Sequence, residues 1–219
     1  MALAIQKISV GDKKYPSLLK EATGAPKTLF FLGTLPSSKE KNIIAIVGTR
    51  KATDQGKQIA KRIANDLAKQ GIIIVSGLAL GIDAAAHEGA LHANGKTLAI
   101  LANGLNQIYP ASHEHLAKEI LEKRGAIISE YPPETPPYPN QFLERNRIIS
   151  GLSLATIVIE APLKSGALVT AKHALDQGRE VFVLPGPANH SNYQGSHFLI
   201  RNGARLVTSA EDIIEDLGL

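Results

Sequence analysis

The sequence of 219 residues contains no cysteine, which excludes a disulfide scaffold, a thiolate metal site and a cysteine nucleophile. It also lacks a run of about 18 apolar residues, the length that a membrane-spanning helix needs, and it opens on no charged and then apolar leader. We therefore expect a soluble, cytoplasmic protein without a membrane partner. With 44% apolar and 20% charged residues, the composition is typical of globular proteins and excludes a disordered or collagen-like chain.

The chain has little net charge beyond its first residues. Residues 1–41 carry seven lysines against Asp12, Glu21 and Glu40, whereas basic and acidic residues balance in residues 42–219. Overall charge therefore predicts no broad polyanion-binding surface, and any such site must be a local arrangement of side chains.

Apolar segments alternate with segments of helical periodicity over most of the chain. Strands are predicted at residues 43–47, 72–76, 97–101, 126–129, 155–160 and 180–185, and helices at about 53–70, 82–92, 112–123 and 166–177. Strands that are apolar throughout are buried on both faces, and their alternation with helices indicates a parallel sheet. The predicted fold class is therefore α/β, with a doubly wound, mostly parallel sheet.

Two segments depart from this alternation. Residues 1–41 show no regular periodicity but contain the apolar stretch 29–32, so we expect a short N-terminal lead-in that packs onto one domain of residues 42–219. The segment 131–139 holds five prolines in nine residues, which excludes a helix and favours an extended, polyproline-like surface segment.

A glycine-containing loop follows the first of these predicted strands, at the edge where a doubly wound sheet binds its ligands. Backbone N–H groups beside Gly48 approach a ligand closely, and the fork of Arg50 suits phosphate. The spacing matches neither G-x-G-x-x-G nor a P-loop, so no dinucleotide or ATP site is predicted and no cofactor is expected.

A second glycine turn follows the next strand and opens a helix. It runs from Ser76 through Gly77 and Gly81 to Asp83. Asp83 either caps this helix or contacts a ligand, and the pattern is compatible with both roles.

A third loop, after the strand at 155–160, combines a cation, a hydroxyl and a glycine at a helix N-terminus. Lys164, Ser165 and Gly166 would form an anion pocket from N–H groups and the helix dipole, unless Ser165 is only an N-cap. Three such loops on one sheet edge predict a phosphate-lined crevice.

An aromatic residue and two arginines follow the proline-rich segment. Phe142 precedes Arg145 by three residues and Arg147 by five, so the ring could stack on a base while the guanidinium groups pair with phosphates. The alternative buries Phe142 in a helix face with Ile148 and Ile149, and leaves the arginines solvated or paired with carboxylates.

Histidines and serines form no recognisable metal-binding or catalytic pattern. His87 and His92 are five residues apart and His113 and His115 two apart, so neither pair suits one metal ion. Residues 151–153 do not complete G-x-S-x-G. No metal site and no catalytic residue is predicted.

Several sequence blocks occur in a recognisable order over residues 43–210. They are VGTR (47–50), SGLALGIDAAAH (76–87), YP (109–110), SEYPP (129–133), RNRIISGLS (145–153), EAPLKSGALVTAKHAL (160–175), GREVFVLPG (178–186) and RNGA (201–204). Together they resemble the DNA processing protein A family, also called Smf.

The resemblance implies an extended Rossmann-like domain that binds single-stranded DNA, forms a homodimer and, in transformable bacteria, hands incoming DNA to the recombinase RecA. It implies a binding protein and not an enzyme. Many members carry a helical domain before this core and a winged-helix-like domain after it, and we expect neither here. Carried over to this sequence, the resemblance places Gly48, Arg50, Ser76, Gly77, Gly81, Lys164, Ser165 and Gly166 around a phosphate, and Phe142, Arg145 and Arg147 along the DNA strand.

Two alternative functions would use the same crevice. Lysine-decarboxylase-like phosphoribohydrolases, which resemble this family distantly, carry P-G-G-x-G-T-x-x-E after the corresponding strand. Here no glutamate lies between Glu160 and Glu180, so the catalytic carboxylate of that motif is missing. A sensor that binds a free nucleotide is the other alternative, and the sequence is compatible with it.

Overall fold

The computed structural model describes residues 4–219, so the first three residues of the predicted lead-in lie outside it. The strands in the described chain are β1 (Gln6–Ser9), β2 (Thr28–Gly33), β3 (Ile43–Val47), β4 (Ile73–Ser76), β5 (Thr97–Ile100), β6 (Ala126–Ser129), β7 (Ala155–Val158), β8 (Glu180–Val183) and β9 (Arg205–Leu206). The helices are α1 (Ser17–Glu21), α2 (Asp54–Lys69), α3 (Ile82–His92), α4 (Glu114–Glu122), α5 (Pro139–Gly151), α6 (Gly166–Asp176), α7 (Gln194–Arg201) and α8 (Ala210–Leu217).

All described strands belong to one sheet in the order β1-β2-β6-β5-β4-β3-β7-β8-β9. Strands β3 to β9 pair in parallel. The chain winds outward from β3 through β4, β5 and β6, and then returns to the other side of β3 with β7. The predicted α/β class with a doubly wound, mostly parallel sheet is therefore confirmed, and the winding reverses between β3 and β7.

The lead-in adds antiparallel strands to the sheet. Strands β1 and β2 pair antiparallel, with α1 in the connection between them, and β2 pairs with β6 so that Phe30 lies opposite Ser129. Helix α1 packs on α5, where Leu19 lies against Gly151. These elements are short, and for that reason the sequence showed no periodicity there.

Helices cover both faces of the sheet. One face carries α2, α3, α4 and α8, with buried side chains such as Ile63 and Ile213. The opposite face carries α1, α5, α6 and α7, with Ile149, Ala171 and Leu199 in its core. No helix in residues 4–219 has the length and apolar character needed to cross a membrane.

The proline-rich segment is not extended throughout, because Thr135 N–H bonds to the Pro132 carbonyl at 3.0 Å and closes a turn. Its last proline, Pro139, is the first residue of α5, a position where a missing N–H removes no helical hydrogen bond. The expectation that all of residues 131–139 lie outside a helix is therefore wrong at this one residue. Backbone bonds fix the rest of the segment to the loop after β5, including Gly104 N–H to the Thr135 carbonyl at 2.8 Å.

Candidate nucleic-acid interface

An open crevice of about 590 Å³ lies at the carboxyl ends of the strands, where the winding reverses. Its walls are the loop after β3 (48–51), the first turns of α5, the start of α6 and Tyr109. The volume falls in the range of small-ligand sites, and its position is the one expected for an open α/β sheet.

Phe142 and Arg50 meet at the mouth of the crevice. The exposed guanidinium of Arg50 lies 4.9 Å from the centre of the Phe142 ring, a cation–π contact. Tyr109, which is 42% exposed, approaches the same ring edge-on with the centroids 5.5 Å apart. Phe142 is only half-buried and lines the crevice, whereas Ile148 and Ile149 lie in the core.

The start of α6 combines an exposed cation with a buried hydroxyl that has no partner. Lys164 is exposed, and Ser165 stands at the N-cap position without a side-chain bond to the helix. The buried Ser165 hydroxyl has no hydrogen-bond partner among residues 4–219. Because the first N–H groups of a helix also lack partners within it, this corner can bind an anion. Ser165 does not cap α6 through its side chain, and its role in anion binding stays a prediction.

Exposed cations dominate the charge of the crevice. Arg50, Lys51 and Lys164 line it, and none of the three is within ion-pair distance of a carboxylate in the described chain. Asp83 is the acidic residue in the lining, and it is buried. Burial raises the pKa of Asp83, while the Arg145 charge and N–H groups of Ala79 and Gly77 oppose that effect.

The loop after β4 satisfies its polar groups internally and does not line the crevice through its predicted residues. Ser76 is buried and donates its hydroxyl to the Ile46 carbonyl at 2.6 Å. Gly77 donates its N–H to Asp83 at 3.1 Å. The prediction that Asp83 caps α3 is wrong, because the N-cap residue is Gly81 and the buried Asp83 carboxylate accepts from the preceding loop instead. A Cβ at Gly81 would lie 2.4 Å from the Thr49 carbonyl oxygen, so this glycine allows α3 to pack under the Arg50 loop. Ser76, Gly77 and Gly81 support the crevice and lie outside its lining.

The two predicted arginines of α5 have different surroundings. Arg145 lies at the base of the crevice, is 4% exposed and donates to backbone carbonyls of Gly77 and Ile100. Burial lowers the pKa of Arg145 to about 10, so it stays charged at neutral pH. Arg147 does not line the crevice, because its guanidinium pairs with both carboxylate oxygens of Glu130 at 2.6 and 3.0 Å.

Gly48 and Gly166 occupy opposite walls. A Cβ on Gly48 would lie 2.4 Å from Ile82, so glycine there lets the strand end meet α3. At Gly166 a Cβ would meet only Asn146 Nδ2, at 3.6 Å, which leaves room for a ligand. Lining residues that were not predicted include Lys51, Tyr109 and Asn146. Lys51 directly follows the GTR loop, Tyr109 lies in the YP block, and Asn146 showed no local signal because its place depends on how α5 packs.

Titratable groups near the crevice are engaged in internal bonds. The carboxylate of Glu160 accepts hydrogen bonds from Thr53, Asn192 and Tyr193, which lower its pKa although burial alone raises it. His87 is buried and its Nδ1 bonds to the Thr97 hydroxyl at 2.7 Å. No group of three or more metal-ligating side chains occurs in the described part of the chain.

Comparison with known proteins identifies the family. The family model for DNA recombination-mediator protein A matches residues 6–218. The chain belongs to this family. It is 47% identical over 210 residues to Protein Smf of Escherichia coli (strain K12). The aligned residues cover 96% of this chain and 56% of that protein.

Solved structures of the family share the fold. The DNA processing protein A of Streptococcus pneumoniae superposes with a TM-score of 0.88 at 37% identity, over 96% of this chain and 74% of that one. The Helicobacter pylori DNA processing protein A, studied for its single-stranded DNA binding mode, has a TM-score of 0.85 at 33% identity, over 97% and 95% of the two chains. The predicted membership of the DNA processing protein A family, with its Rossmann-like fold, is confirmed. The chain spans little more than half the length of the Escherichia coli relative.

Proposed function

We propose that this chain binds single-stranded DNA in the cytoplasm through the crevice at the reversal of the sheet, and passes it to the recombinase RecA during transformation or recombination. The proposed contact residues are Gly48, Arg50, Phe142, Lys164, Ser165 and Gly166, with Arg145 beneath them. We expect no direct contact with DNA from four of the predicted residues, because their polar groups are bonded internally or their backbone is packed against a neighbouring loop. These residues are Ser76, Gly77, Gly81 and Arg147.

One arrangement carries the proposal: the half-buried Phe142 ring, the Arg50 guanidinium that lies over it and Ser165, whose buried hydroxyl has no partner in the described chain, line one crevice. A ring binds the face of any base, while a guanidinium and a helix N-terminus bind phosphate. Such groups carry no information on base identity, so binding with little sequence preference follows. A duplex hides its base faces, so it should bind weakly.

A binding series tests the proposal. Fluorescence polarisation would compare oligo(dT) of increasing length, a duplex of the same length and free dTMP over a range of salt concentrations. We expect the single strand to bind best, with a slope of log affinity against log salt of about −2 to −4, which corresponds to roughly three to six neutralised phosphates. Equal affinity for duplex, or binding insensitive to salt, contradicts the proposal, and saturation by dTMP alone favours the nucleotide sensor.

We further propose that the chain is a binding protein and not a hydrolase. The carboxylate of Glu160 is held by three neighbouring residues, and the Asp83 carboxylate by backbone N–H groups, so neither is poised to activate water. We expect no release of base from nucleoside monophosphates and no DNA cleavage, with or without divalent metal. Turnover that Glu160→Gln abolishes would revive the phosphoribohydrolase-like alternative.

The proposed homodimer has a candidate face beside β9. Leu163 and Phe198 line one groove, and both are about half exposed, as is Leu206 on the edge strand. Apolar side chains exposed together are typical of protein interfaces. Sedimentation should show a dimer for the unmodified chain and a monomer for Phe198→Glu. A monomer of the unmodified chain at all concentrations would contradict this assignment.

Transfer to RecA is tested by filament assembly on DNA already bound by the protein.

A further inference from the structure

A buried arginine connects the walls of the crevice. Arg145 donates through one terminal nitrogen to the Gly77 carbonyl at 2.9 Å and to the Ile100 carbonyl, and through Nε to the Asn146 side chain at 3.2 Å. The first acceptor, Gly77, directly follows β4, the second, Ile100, ends β5, and the donor belongs to α5. Arg145 thereby ties the helix that carries Phe142 to two strand ends.

Asn146 extends this chain of bonds to the anion corner. Its Nδ2 donates to the carbonyl of Gly166, the first residue of α6, at 3.1 Å. Asn146 is buried like Arg145. The series Gly77, Arg145, Asn146 and Gly166 therefore crosses the base of the crevice from one wall to the other.

The loop that Arg145 holds is strained. Leu78 has a φ of +56°, in the left-handed region that a branched apolar residue rarely adopts. Hydrogen bonds surround it: Arg145 binds the Gly77 carbonyl, Asp83 accepts from Gly77 and Ala79, and His113 donates to the Leu78 carbonyl at 2.8 Å. Strained backbone persists where the surroundings determine it from several sides.

We propose that Arg145 and Asn146 are positioning residues, which fix the helix that carries Phe142 relative to the α6 N-terminus, and that Arg145 neutralises no DNA phosphate itself. This inference rests on the proposed single-stranded DNA binding. Arg145 is only 4% exposed, and its Nε and one terminal nitrogen are bonded to Asn146, Gly77 and Ile100, so these donors are used within the scaffold.

Salt dependence separates positioning from contact. Removing a side chain that neutralises a phosphate makes the slope of log affinity against log salt shallower by about 0.7 on a single strand. Removing a positioning residue lowers the affinity at every salt concentration and leaves the slope unchanged. Arg50→Ala supplies the contact reference in the same assay.

The test uses Arg145→Gln, which removes the charge, together with Arg145→Lys and Asn146→Ala, and Arg147→Lys is the matched control. Arg147 is on the same helix and is also hydrogen-bonded, but to Glu130 and outside the crevice. Lysine at 145 keeps the charge but loses the planar fork that reaches several acceptors at once. Asn146→Ala breaks the link to α6 while Arg145 stays, so it remains informative if Arg145→Lys does not fold.

We expect Arg145→Lys and Asn146→Ala to lose affinity by about tenfold with the slope of the unmodified chain, and Arg147→Lys to bind normally. A second readout uses Phe142→Trp, which introduces the sole tryptophan of the sequence. Its fluorescence should change on binding oligo(dT), and this change should diminish when Arg145→Lys or Asn146→Ala is added.

Two results would overturn the inference. A shallower slope in Arg145→Gln, which removes the charge, would make Arg145 a phosphate contact, and unchanged affinity in a folded Arg145→Lys or Asn146→Ala would leave the altered residue without a role in binding. Absence of binding by the unmodified chain would instead reject the proposed function, so the two failures are distinct.

Discussion

Strands β4 and β7 flank the central strand β3. Each is followed by a loop that leads into a helix, and both regions contain serine and glycine. The two regions differ in whether their polar groups have hydrogen-bond partners. In the loop after β4, Ser76 and Gly77 are bonded to Ile46, Asp83 and Arg145. In the loop after β7, the Ser165 hydroxyl has no partner in the described chain and Lys164 is exposed. Buried partners turn one loop into scaffold, and their absence leaves the other open to an anion.

The strongest test of this comparison exchanges glycine for alanine in each loop. Gly81→Ala should lower the free energy of unfolding by about 3 to 5 kcal/mol, because φ is +81° and the Cβ would lie 2.4 Å from the Thr49 carbonyl oxygen. Gly166→Ala should leave it unchanged, since its Cβ meets only Asn146 at 3.6 Å. Urea denaturation measures both, and equal losses would show that the loop after β7 is closed as well.

Arg50 is exposed in the loop after β3 and lines the crevice, so its loss should affect binding rather than folding. Arg50→Ala should weaken single-stranded DNA binding by about 1 to 3 kcal/mol for every sequence, the range for hydrogen bonds to a charged group. Arg50→Lys should recover only part of this, because the fork is lost. Polarisation titrations at several salt concentrations measure the effect, and an unfolded Arg50→Ala would make Arg50 structural.

Phe142 is a half-buried aromatic residue that lines the crevice. Phe142→Ala should weaken DNA binding by about 1 to 3 kcal/mol, the value of stacking on one base, while the thermal midpoint moves little because the ring is half-buried. Phe142→Trp should retain or improve the affinity. A midpoint several degrees lower together with unchanged affinity would remove Phe142 from the site.

His87 lies in α3, the helix that follows the loop after β4. Burial, with smaller effects of His113 and Arg145, lowers the pKa of His87 to about 3, so the folded chain holds it neutral. Between pH 6.5 and 3 the unfolded chain binds the extra proton, so stability falls as the pH falls through this range. At pH 5 the loss should be about 2 kcal/mol.

Urea unfolding of the unmodified chain and of His87→Gln at pH 7 and pH 5 measures that loss. The variant should lack this part of the pH dependence, while the other titrating groups contribute equally to both proteins. Parallel pH profiles would contradict the assignment.

The smallest expected effect concerns the two serines. Ser165→Ala should cost about 1 kcal/mol of DNA affinity and little stability, since its hydroxyl bonds to nothing described. Ser76→Ala should do the reverse, because it removes a buried bond to the Ile46 carbonyl. DNA titration and urea denaturation of both variants measure the two effects. A loss of stability in Ser165→Ala, or a loss of affinity without a loss of stability in Ser76→Ala, would contradict this prediction.

Much of the fold was predictable because the parallel strands are apolar throughout. The predicted strands at 43–47 and 126–129 match β3 and β6 at both ends, and the predicted helix at 82–92 matches α3. The prediction missed the strands β1, β2 and β9 and the helices α1, α7 and α8, because two- to six-residue strands and five- to eight-residue helices contain too few periods for a pattern to stand out. Helix α5 entered only as the alternative that buries Phe142 in a helix face.

The sequence alone determined the doubly wound sheet and which loops meet at its carboxyl edge, because buried parallel strands need continuous apolar runs and strand direction sets where each loop emerges. Only the tertiary structure decided which residues of those loops face the crevice. Arg145 and Arg147 are two positions apart, about 200° around a helix, and the packing of Ile148 and Ile149 turns Arg145 inward and Arg147 towards Glu130. Ser76 and Ser165 likewise differ only in the neighbours that folding brings to them.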